Sequence, residues 1–128
     1  MMVACRIAST DEAIMPSTFL ENITIEGFKS IAFMPRLPLR PINVVVGANG
    51  SGKSNFIGVF AFLRAIREGR LREYVTVAGG AEKVLHFGSK TTEEIYIEVS
   101  FASGVNRRYE LKLRPTADET LSIRRARQ

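Results

Sequence analysis

The sequence predicts an α/β fold whose sheet is mixed, with an antiparallel portion beside a strand that leads into a helix. One observation is the run of β-branched residues at 42–46, which is typical of a strand. A second is the stripe of apolar residues at helical spacing over 53–67. The third is the alternation of apolar and polar residues within 94–114, which indicates a β-hairpin. The length of 128 residues suits one domain.

The first 18 residues show neither helical nor strand periodicity. They predict a flexible N-terminal extension, 1–18, in front of a domain that occupies 19–128. Met15 is an alternative start to Met1, and the sequence leaves that choice open.

The domain is expected to begin with two short strands. Ile23 and Ile25 alternate with polar residues as on a half-buried strand, and Gly27 is expected to break it. Residues 31–34 predict a second strand, and the prolines that follow mark loops or strand ends.

The segment Ile-Asn-Val-Val-Val at 42–46 predicts a central strand that is buried on both faces, as in a parallel or mixed sheet. A glycine-rich turn follows at 47–52, and Gly69 is expected to stop the helix predicted over 53–67. The order is therefore strand, glycine loop, helix. The apolar stripe of this helix is formed by Phe56, Val59, Phe60, Leu63 and Ile66.

Residues 70–92 allow either a continued helix or an extended segment, with a turn at Gly79 and Gly80 and a candidate strand at 84–87. The hairpin predicted within 94–114 turns at 103–106, where serine, glycine and asparagine gather. Residues 121–123 are a candidate third strand.

The composition is that of a globular chain with a basic surplus. Hydrophobic residues make up 45% of the sequence, and 18 Lys and Arg against 13 Asp and Glu give a net charge of +5. This charge weakly favours polyanionic partners. Seven of the basic residues lie near the C-terminus: Arg107, Arg108, Lys112, Arg114, Arg124, Arg125 and Arg127.

Several classes of protein are excluded or disfavoured by residue usage. The single cysteine, Cys5, cannot form an internal disulfide, and with His86 as the single histidine it does not complete a zinc site. Asp11 and Glu12 interrupt any signal-peptide core, and no apolar run is long enough for a membrane helix. We therefore expect a cytoplasmic protein without a membrane partner.

The glycine-rich turn matches the Walker A or P-loop pattern G-x-x-x-x-G-K-[ST] at every fixed position. Glycines let successive backbone N–H groups converge on phosphate oxygens, and the following helix adds the positive end of its dipole. Lys53 is expected to reach the β- and γ-phosphates, and the Ser54 hydroxyl is expected to ligate Mg²⁺. The predicted nucleotide-binding residues are Gly47, Ala48, Asn49, Gly50, Ser51, Gly52, Lys53 and Ser54.

The residues of this loop and of an upstream segment resemble a known family. The loop Gly-Ala-Asn-Gly-Ser-Gly-Lys-Ser-Asn, together with Ile-Glu-Gly-Phe-Lys-Ser at 25–30, is similar to the N-terminal half of ABC-type ATPase heads. Within them it looks like the SMC and RecF-like group, including the predicted AAA-family ATPases of bacteria. Phe62-Leu63-Arg64, Gly79-Gly80 and His86-Phe87-Gly88 also look like those ATPases, so that the resemblance covers about 20–114.

The resemblance implies that ATP and Mg²⁺ are the cofactors and that Asn55, Lys29 and Ser30 lie near the nucleotide. The alternative for Lys29 and Ser30 is a solvated turn after the first strand. The family also has a glutamine that contacts Mg²⁺ and the attacking water, but the single glutamine here is Gln128. His86 lies in the corresponding region, either in that role or as an ordinary surface or core histidine.

A Walker B aspartate at the end of an apolar strand is missing, because the two aspartates are Asp11 and Asp118. The resemblance therefore implies an N-terminal lobe only, apparently truncated before the signature and Walker B motifs of a complete head. Such a lobe is expected to bind nucleotide better than it hydrolyses it, and we assign no catalytic residue. It is also expected to expose apolar surface and to pair with a second copy or with a C-terminal lobe.

Three functions remain open. The first is the ATP-binding part of an ATPase that couples hydrolysis to DNA maintenance, repair or defence, with DNA as an additional partner. The second is a non-enzymatic basic module that binds nucleic acid. The third is another P-loop enzyme such as a nucleoside kinase, for which the arginines at 64, 67, 70 and 72 are suggestive, whereas a GTPase is excluded because Asn-Lys-x-Asp is absent.

Overall fold

The computed structural model describes residues 2–6, 19–48, 50, 52–102 and 107–127. These residues form an α/β fold with seven strands and three helices. In chain order they are β1 (Met2–Arg6), β2 (Phe19–Phe28), β3 (Ile31–Pro38), β4 (Ile42–Val46), α1 (Lys53–Arg67), α2 (Leu71–Ala78), α3 (Ala81–Val84), β5 (Ile95–Ala102), β6 (Arg107–Pro115) and β7 (Leu121–Arg127).

Five strands form one antiparallel sheet in the order β3-β2-β5-β6-β7. The predicted hairpin is confirmed as β5 and β6, which pair from Ile95↔Leu113 to Phe101↔Arg107. β2 is an interior strand next to the edge strand β3, because it pairs with β3 on one side and with β5 on the other. The turn predicted at 103–106 lies outside the described residues.

The core lies between one face of this sheet and the helices. Alternate residues of β2 and β5, such as Ile25 and Ile97, are fully buried, as the period of two requires. Phe62 on α1 joins them, with ring centroids 5.1 Å from Phe28 and 5.2 Å from Tyr74 on α2. Burial of these large apolar side chains is the main stabilising contribution to the fold.

The prediction that 42–46 is a central strand buried on both faces is wrong. β4 pairs with β1 in a separate two-stranded sheet, and Ile42, Val44 and Val46 are 51%, 44% and 46% exposed. A β-branched run indicates a strand, but burial of both faces also requires a layer on each side. All strand pairs within the described ranges are antiparallel, so the parallel component of the predicted mixed sheet is not found there.

Within the predicted N-terminal extension 1–18, Met2–Arg6 forms β1 and pairs with β4 from Met2↔Val46 to Arg6↔Ile42. This pairing uses backbone groups, so side-chain alternation is not needed to form it. Residues 1 and 7–18, including the alternative start at Met15, lie outside the described residues.

The ambiguous segment 70–92 is largely helical. α2 ends at Ala78, and the following Gly79, with a φ of +100°, caps the helix in the left-handed conformation before the short α3. The candidate strand at 84–87 is reduced to an isolated bridge between Phe28 and Leu85. The helices of the described segments are too short or too polar to span a lipid bilayer.

Candidate functional site at the glycine-rich loop

The loop between β4 and α1 contains two glycines with positive φ values. Gly50 and Gly52 have φ values of +82° and +93°, in the region that side chains with a Cβ rarely adopt. Gly52 is the N-cap of α1, and its carbonyl accepts the first helical hydrogen bond, from the Phe56 N–H at 2.9 Å. The N-terminus of α1 therefore opens onto the loop, as anion binding requires.

Lys53 crosses this loop. Its partly buried ammonium donates a hydrogen bond to the Gly47 carbonyl, six residues earlier, and so links the two ends of the loop. A carbonyl is a neutral acceptor, whereas phosphate oxygens form stronger, charge-assisted hydrogen bonds with an ammonium. A phosphate in the loop would therefore compete well for Lys53.

Two further residues of the predicted site are described by the structure. Ala48 and Ser54 are exposed, and Ser54 lies in the first turn of α1, where its hydroxyl is accessible to a metal ion. The described residues hold no cluster of three or more His, Cys, Asp or Glu side chains that would bind a metal without help from a phosphate. Asn49 and Ser51 lie outside the described residues.

Ser30, on the turn between β2 and β3, lies against the loop. The Asn55 Nδ2 donates a hydrogen bond of 2.7 Å to the Ser30 Oγ. A Cβ added to Gly52 would lie 3.2 Å from the same hydroxyl oxygen. The structure thus brings Ser30 and Asn55 together with the loop, although 25 residues separate them in sequence.

The Lys29 ammonium, unlike the Ser30 hydroxyl, lies beside aromatic rings and not beside Gly52. Its ammonium lies 5.4 Å from the centroid of the Phe28 ring and 5.5 Å from that of Tyr74, which are cation–π distances. A Cβ placed at Gly58 would lie 4.0 Å from the Lys29 Nζ, whereas one placed at Gly52 would meet Ser30 instead. The ammonium therefore lies one turn into α1, over aromatic rings.

His86 contacts the same β2–β3 turn. Its Nδ1 lies 2.7 Å from the Lys29 carbonyl oxygen, and its backbone N–H donates to the Gly27 carbonyl at 3.0 Å. The imidazole is half-buried and packs on the Phe87 ring at 4.3 Å between centroids. Sequence reasoning singled out His86, but no pattern in the sequence indicates its contact with Lys29.

The basic surplus near the C-terminus is partly neutralised. Arg108 pairs with Glu98 and lies 3.7 Å from Glu110. Lys112 and Arg114 both pair with Glu94, at 3.6 and 3.2 Å. These carboxylates reduce the field that a nucleic-acid backbone would meet on this face.

The arginines that suggest a kinase are also paired. Three of the four form ion pairs: two with carboxylates on or next to their own helices, and one with a carboxylate on the β6–β7 turn. This is the arrangement of a solvated polar helix face. The pairs are Arg64 with Glu68, Arg70 with Glu73, and Arg72 with Asp118.

Comparison with known proteins adds the family. Residues 42–127 match the family model described as "AAA domain, putative AbiEii toxin, Type IV TA system". The match begins at β4 and includes the glycine-rich loop, α1 and the β5–β6 hairpin. No solved structure matches the chain.

Curated proteins are similar over parts of the chain. Urease accessory protein 2 of Cryptococcus neoformans var. grubii is 36% identical over 108 residues, which cover 77% of this chain and 8% of that protein. Chromosome segregation protein sudA of Emericella nidulans is 32% identical over 114 residues, or 84% of this chain and 8% of that protein. Chromosome partition protein Smc of Desulfitobacterium hafniense is 60% identical over 38 residues, or 29% of this chain and 3% of that protein. The chain thus spans less than a tenth of the length of these relatives.

Proposed function

This chain belongs to the AAA domain family whose model it matches, and we propose that its glycine-rich loop binds the triphosphate of ATP together with Mg²⁺. The observation that carries the proposal is the loop closed by Lys53 onto the Gly47 carbonyl at the open N-terminus of α1. An ammonium, backbone N–H groups and a helix dipole then act on the same small volume. These are the groups that stabilise a polyphosphate.

Each residue of the loop has a defined task in this proposal. Lys53 exchanges the Gly47 carbonyl for the β- and γ-phosphate oxygens, and Ser54 offers its hydroxyl to Mg²⁺. Bound Mg²⁺ neutralises phosphate charge. Ser30 and Asn55 hold the β2–β3 turn against the loop and add polar groups beside the nucleotide.

We propose binding, and not hydrolysis, as the activity of the described residues. A magnesium-binding aspartate is expected at the end of an apolar strand near the loop. Asp118 instead lies exposed on the turn between β6 and β7, where Arg72 pairs with it at 3.1 Å. Asp11 lies outside the described residues.

We further propose that the site serves an ATPase of DNA maintenance, repair or defence, which acts with a second copy or a further lobe and with DNA. The names of the Smc and sudA relatives support chromosome maintenance, and the family description, which names a toxin–antitoxin system, supports defence. A purely basic nucleic-acid module has less support, because Arg108, Lys112 and Arg114 are paired with carboxylates.

Isothermal titration with Mg²⁺ and a non-hydrolysable ATP analogue tests the proposal on the wild type and on Lys53→Ala. Loss of a charge-assisted contact is expected to weaken binding about 10- to 100-fold, since such hydrogen bonds contribute roughly 1.5–3 kcal/mol. Lys90→Ala is the matched control, because Lys90 is an exposed lysine outside the loop. Equal affinities of Lys53→Ala and the wild type would contradict the proposal, as would no binding by either protein.

A further inference from the structure

We propose that His86 is a positioning residue for the nucleotide loop, which it reaches through the β2–β3 turn. Its imidazole holds the Lys29 carbonyl, and this contact keeps the Ser30 hydroxyl against Gly52 and Asn55. This inference rests on the proposed nucleotide site and extends it to a residue 32 positions beyond Ser54 in the chain.

The turn that His86 holds is strained and needs support from outside. Lys29 has a φ of +49°, in the left-handed region that a residue with a Cβ rarely adopts. Its N–H donates to the Val84 carbonyl at 2.8 Å, and its carbonyl lies 2.7 Å from the His86 Nδ1. The peptide groups on both sides of Lys29 are therefore anchored to the segment 84–86, which joins the last residue of α3 to His86.

That segment is itself fixed to β2. The His86 N–H donates to the Gly27 carbonyl at 3.0 Å, and Phe28 forms a bridge with Leu85. The Thr92 hydroxyl donates to the His86 carbonyl at 2.5 Å, so the backbone on both sides of the imidazole is held. Because the backbone of His86 is held, its imidazole can fix the position of the Lys29 carbonyl to which it is hydrogen-bonded.

The backbone of the β2–β3 turn also sets the position of Ser30. Because Ser30 is exposed, packing around its side chain contributes little to its position. Its hydroxyl is located by the 2.7 Å hydrogen bond from Asn55 and by the backbone of the turn. Displacement of the Lys29 carbonyl would therefore move Ser30 away from the first turn of α1 and from the Gly52 backbone.

The hydrogen bond to the Lys29 carbonyl also identifies which ring nitrogen of His86 makes the proposed contact. A carbonyl oxygen only accepts, so the Nδ1 must carry the hydrogen, and it does so in both the Nδ1–H tautomer and the imidazolium. An asparagine places its amide nitrogen near the position of Nδ1, whereas a glutamine places it near that of Nε2. The two amides therefore separate the proposed contact from the general effect of removing an imidazole.

The experiment compares His86→Asn and His86→Gln by titration with the Mg²⁺-bound ATP analogue. His86→Gln is expected to weaken binding about two- to tenfold, the range of one hydrogen bond, and His86→Asn to remain within twofold of the wild type. In a Ser30→Ala background, His86→Gln should cause no further loss, because both changes act through one contact. Equal losses in the two amide variants, or a loss that adds to that of Ser30→Ala, would overturn the proposal.

A second readout separates this inference from the nucleotide proposal. The side-chain amide signal of Asn55 in NMR spectra of the protein alone reports its hydrogen bond to Ser30. It is expected to shift in His86→Gln and to stay in place in His86→Asn. An unchanged signal in His86→Gln overturns the positioning role alone, whereas unimpaired binding by Lys53→Ala overturns the nucleotide site.

Discussion

Gly27 lies inside β2 with a φ of +75°, and the chain approaches it closely. A Cβ at this position would lie 2.7 Å from both the Glu94 carbonyl oxygen and the Thr92 Cγ2. The absence of a side chain therefore lets the segment before β5 pack on the strand. The same approach brings Thr92 to the carbonyl of His86, so Gly27 supports the turn that holds Ser30.

Gly27→Ala is expected to destabilise the protein more than Gly69→Ala, because the two glycines differ in the space around them. Both have positive φ values, of +75° and +71°, so both alanines bear the cost of a left-handed residue, about 1–2 kcal/mol. Gly69 has open space around it, whereas an alanine at Gly27 also overpacks, at a further 1–3 kcal/mol or so. Urea unfolding measures both free energies, and equal losses would show that the close contact at Gly27 relaxes freely.

Gly27 also shows what residue-level patterns miss. The sequence predicts that this glycine breaks the first strand, yet β2 continues through it to Phe28. Glycine is a turn signal when only local conformation is considered. Here its role is set by Thr92 and Glu94, which are more than sixty residues away in sequence.

At the scale of elements, β5 and β6 share a polar network on the face of the sheet opposite to the helices. The Tyr96 hydroxyl donates to the Glu98 carboxylate at 2.7 Å, and Arg108 pairs with the same carboxylate. Burial, followed by the hydrogen bond to Glu98, raises the pKa of Tyr96 to about 12. Burial alone would raise the pKa of Glu98, but the Tyr96 and Arg108 hydrogen bonds and the Arg108 charge lower it overall.

These shifts predict an alkaline transition. The pKa of Tyr96 in the folded protein, about 12, lies above its ordinary value of 10.0, so its stabilising contribution is complete below pH 10.0 and is lost as the pH rises through about 12. Spectrophotometric titration of the phenolate is expected to show a late phase that disappears in Tyr96→Phe. In Glu98→Gln this phase should move to lower pH, because the carboxylate charge that opposes ionisation is removed. A late phase that persists in Tyr96→Phe would assign it to another group.

Glu98 acts at the opposite end of the pH scale. Its folded-state pKa is lowered below 4.5, so its contribution is complete above that value and is lost as the pH falls through the folded-state pKa. The network therefore supports the β5–β6 hairpin over the whole neutral range, where Tyr96 is protonated and Glu98 is charged.

Helices and strands with a regular spacing of apolar residues could be predicted from the sequence, whereas the burial and the pairing of β4 and β1 could not. The alternation of Ile95 to Phe101 and the stripe of α1 correspond to β5 and to Lys53–Arg67 as observed. The environment of β4 was not predictable, because a run of β-branched residues is the same whether one or two layers cover it. β1 was missed because Met2–Arg6 shows no alternation of apolar and polar residues.

The candidate site was likewise predictable from the sequence only in part. The loop is a continuous motif, so its residues could be found from local spacing alone. A place for Ser30 near the nucleotide was expected only through family resemblance, and its hydrogen bond with Asn55, 25 residues away, was not predicted. The contact of His86 with Lys29 spans 57 residues and depends on how α3 packs against β2, which no local pattern encodes.

At the scale of the whole molecule, apolar surface stays open on two sides. A cleft of about 600 Å³ lies between α1 and the sheet, where Phe60 and Leu63 face Val99 and Leu111. On β4, Ile42, Val44 and Val46 form an exposed apolar row. The expectation of exposed apolar surface thus agrees with the described residues, and contiguous patches of this kind favour association.

Self-association of the chain is therefore expected to depend on the β4 row. The double variant Val44→Thr/Val46→Thr keeps β-branched side chains, so β4 should still form while its outer face becomes polar. Sedimentation velocity at rising concentration should show association of the wild type and an association constant lowered at least about tenfold in the double variant, since burial of a valine contributes roughly 1.5 kcal/mol or more. Val77→Thr is the matched control, because Val77 is 83% exposed but stands on α2, away from the row. A concentration-independent sedimentation coefficient of the wild type, or equal losses in the control and the double variant, would show that the exposed row of β4 drives no association.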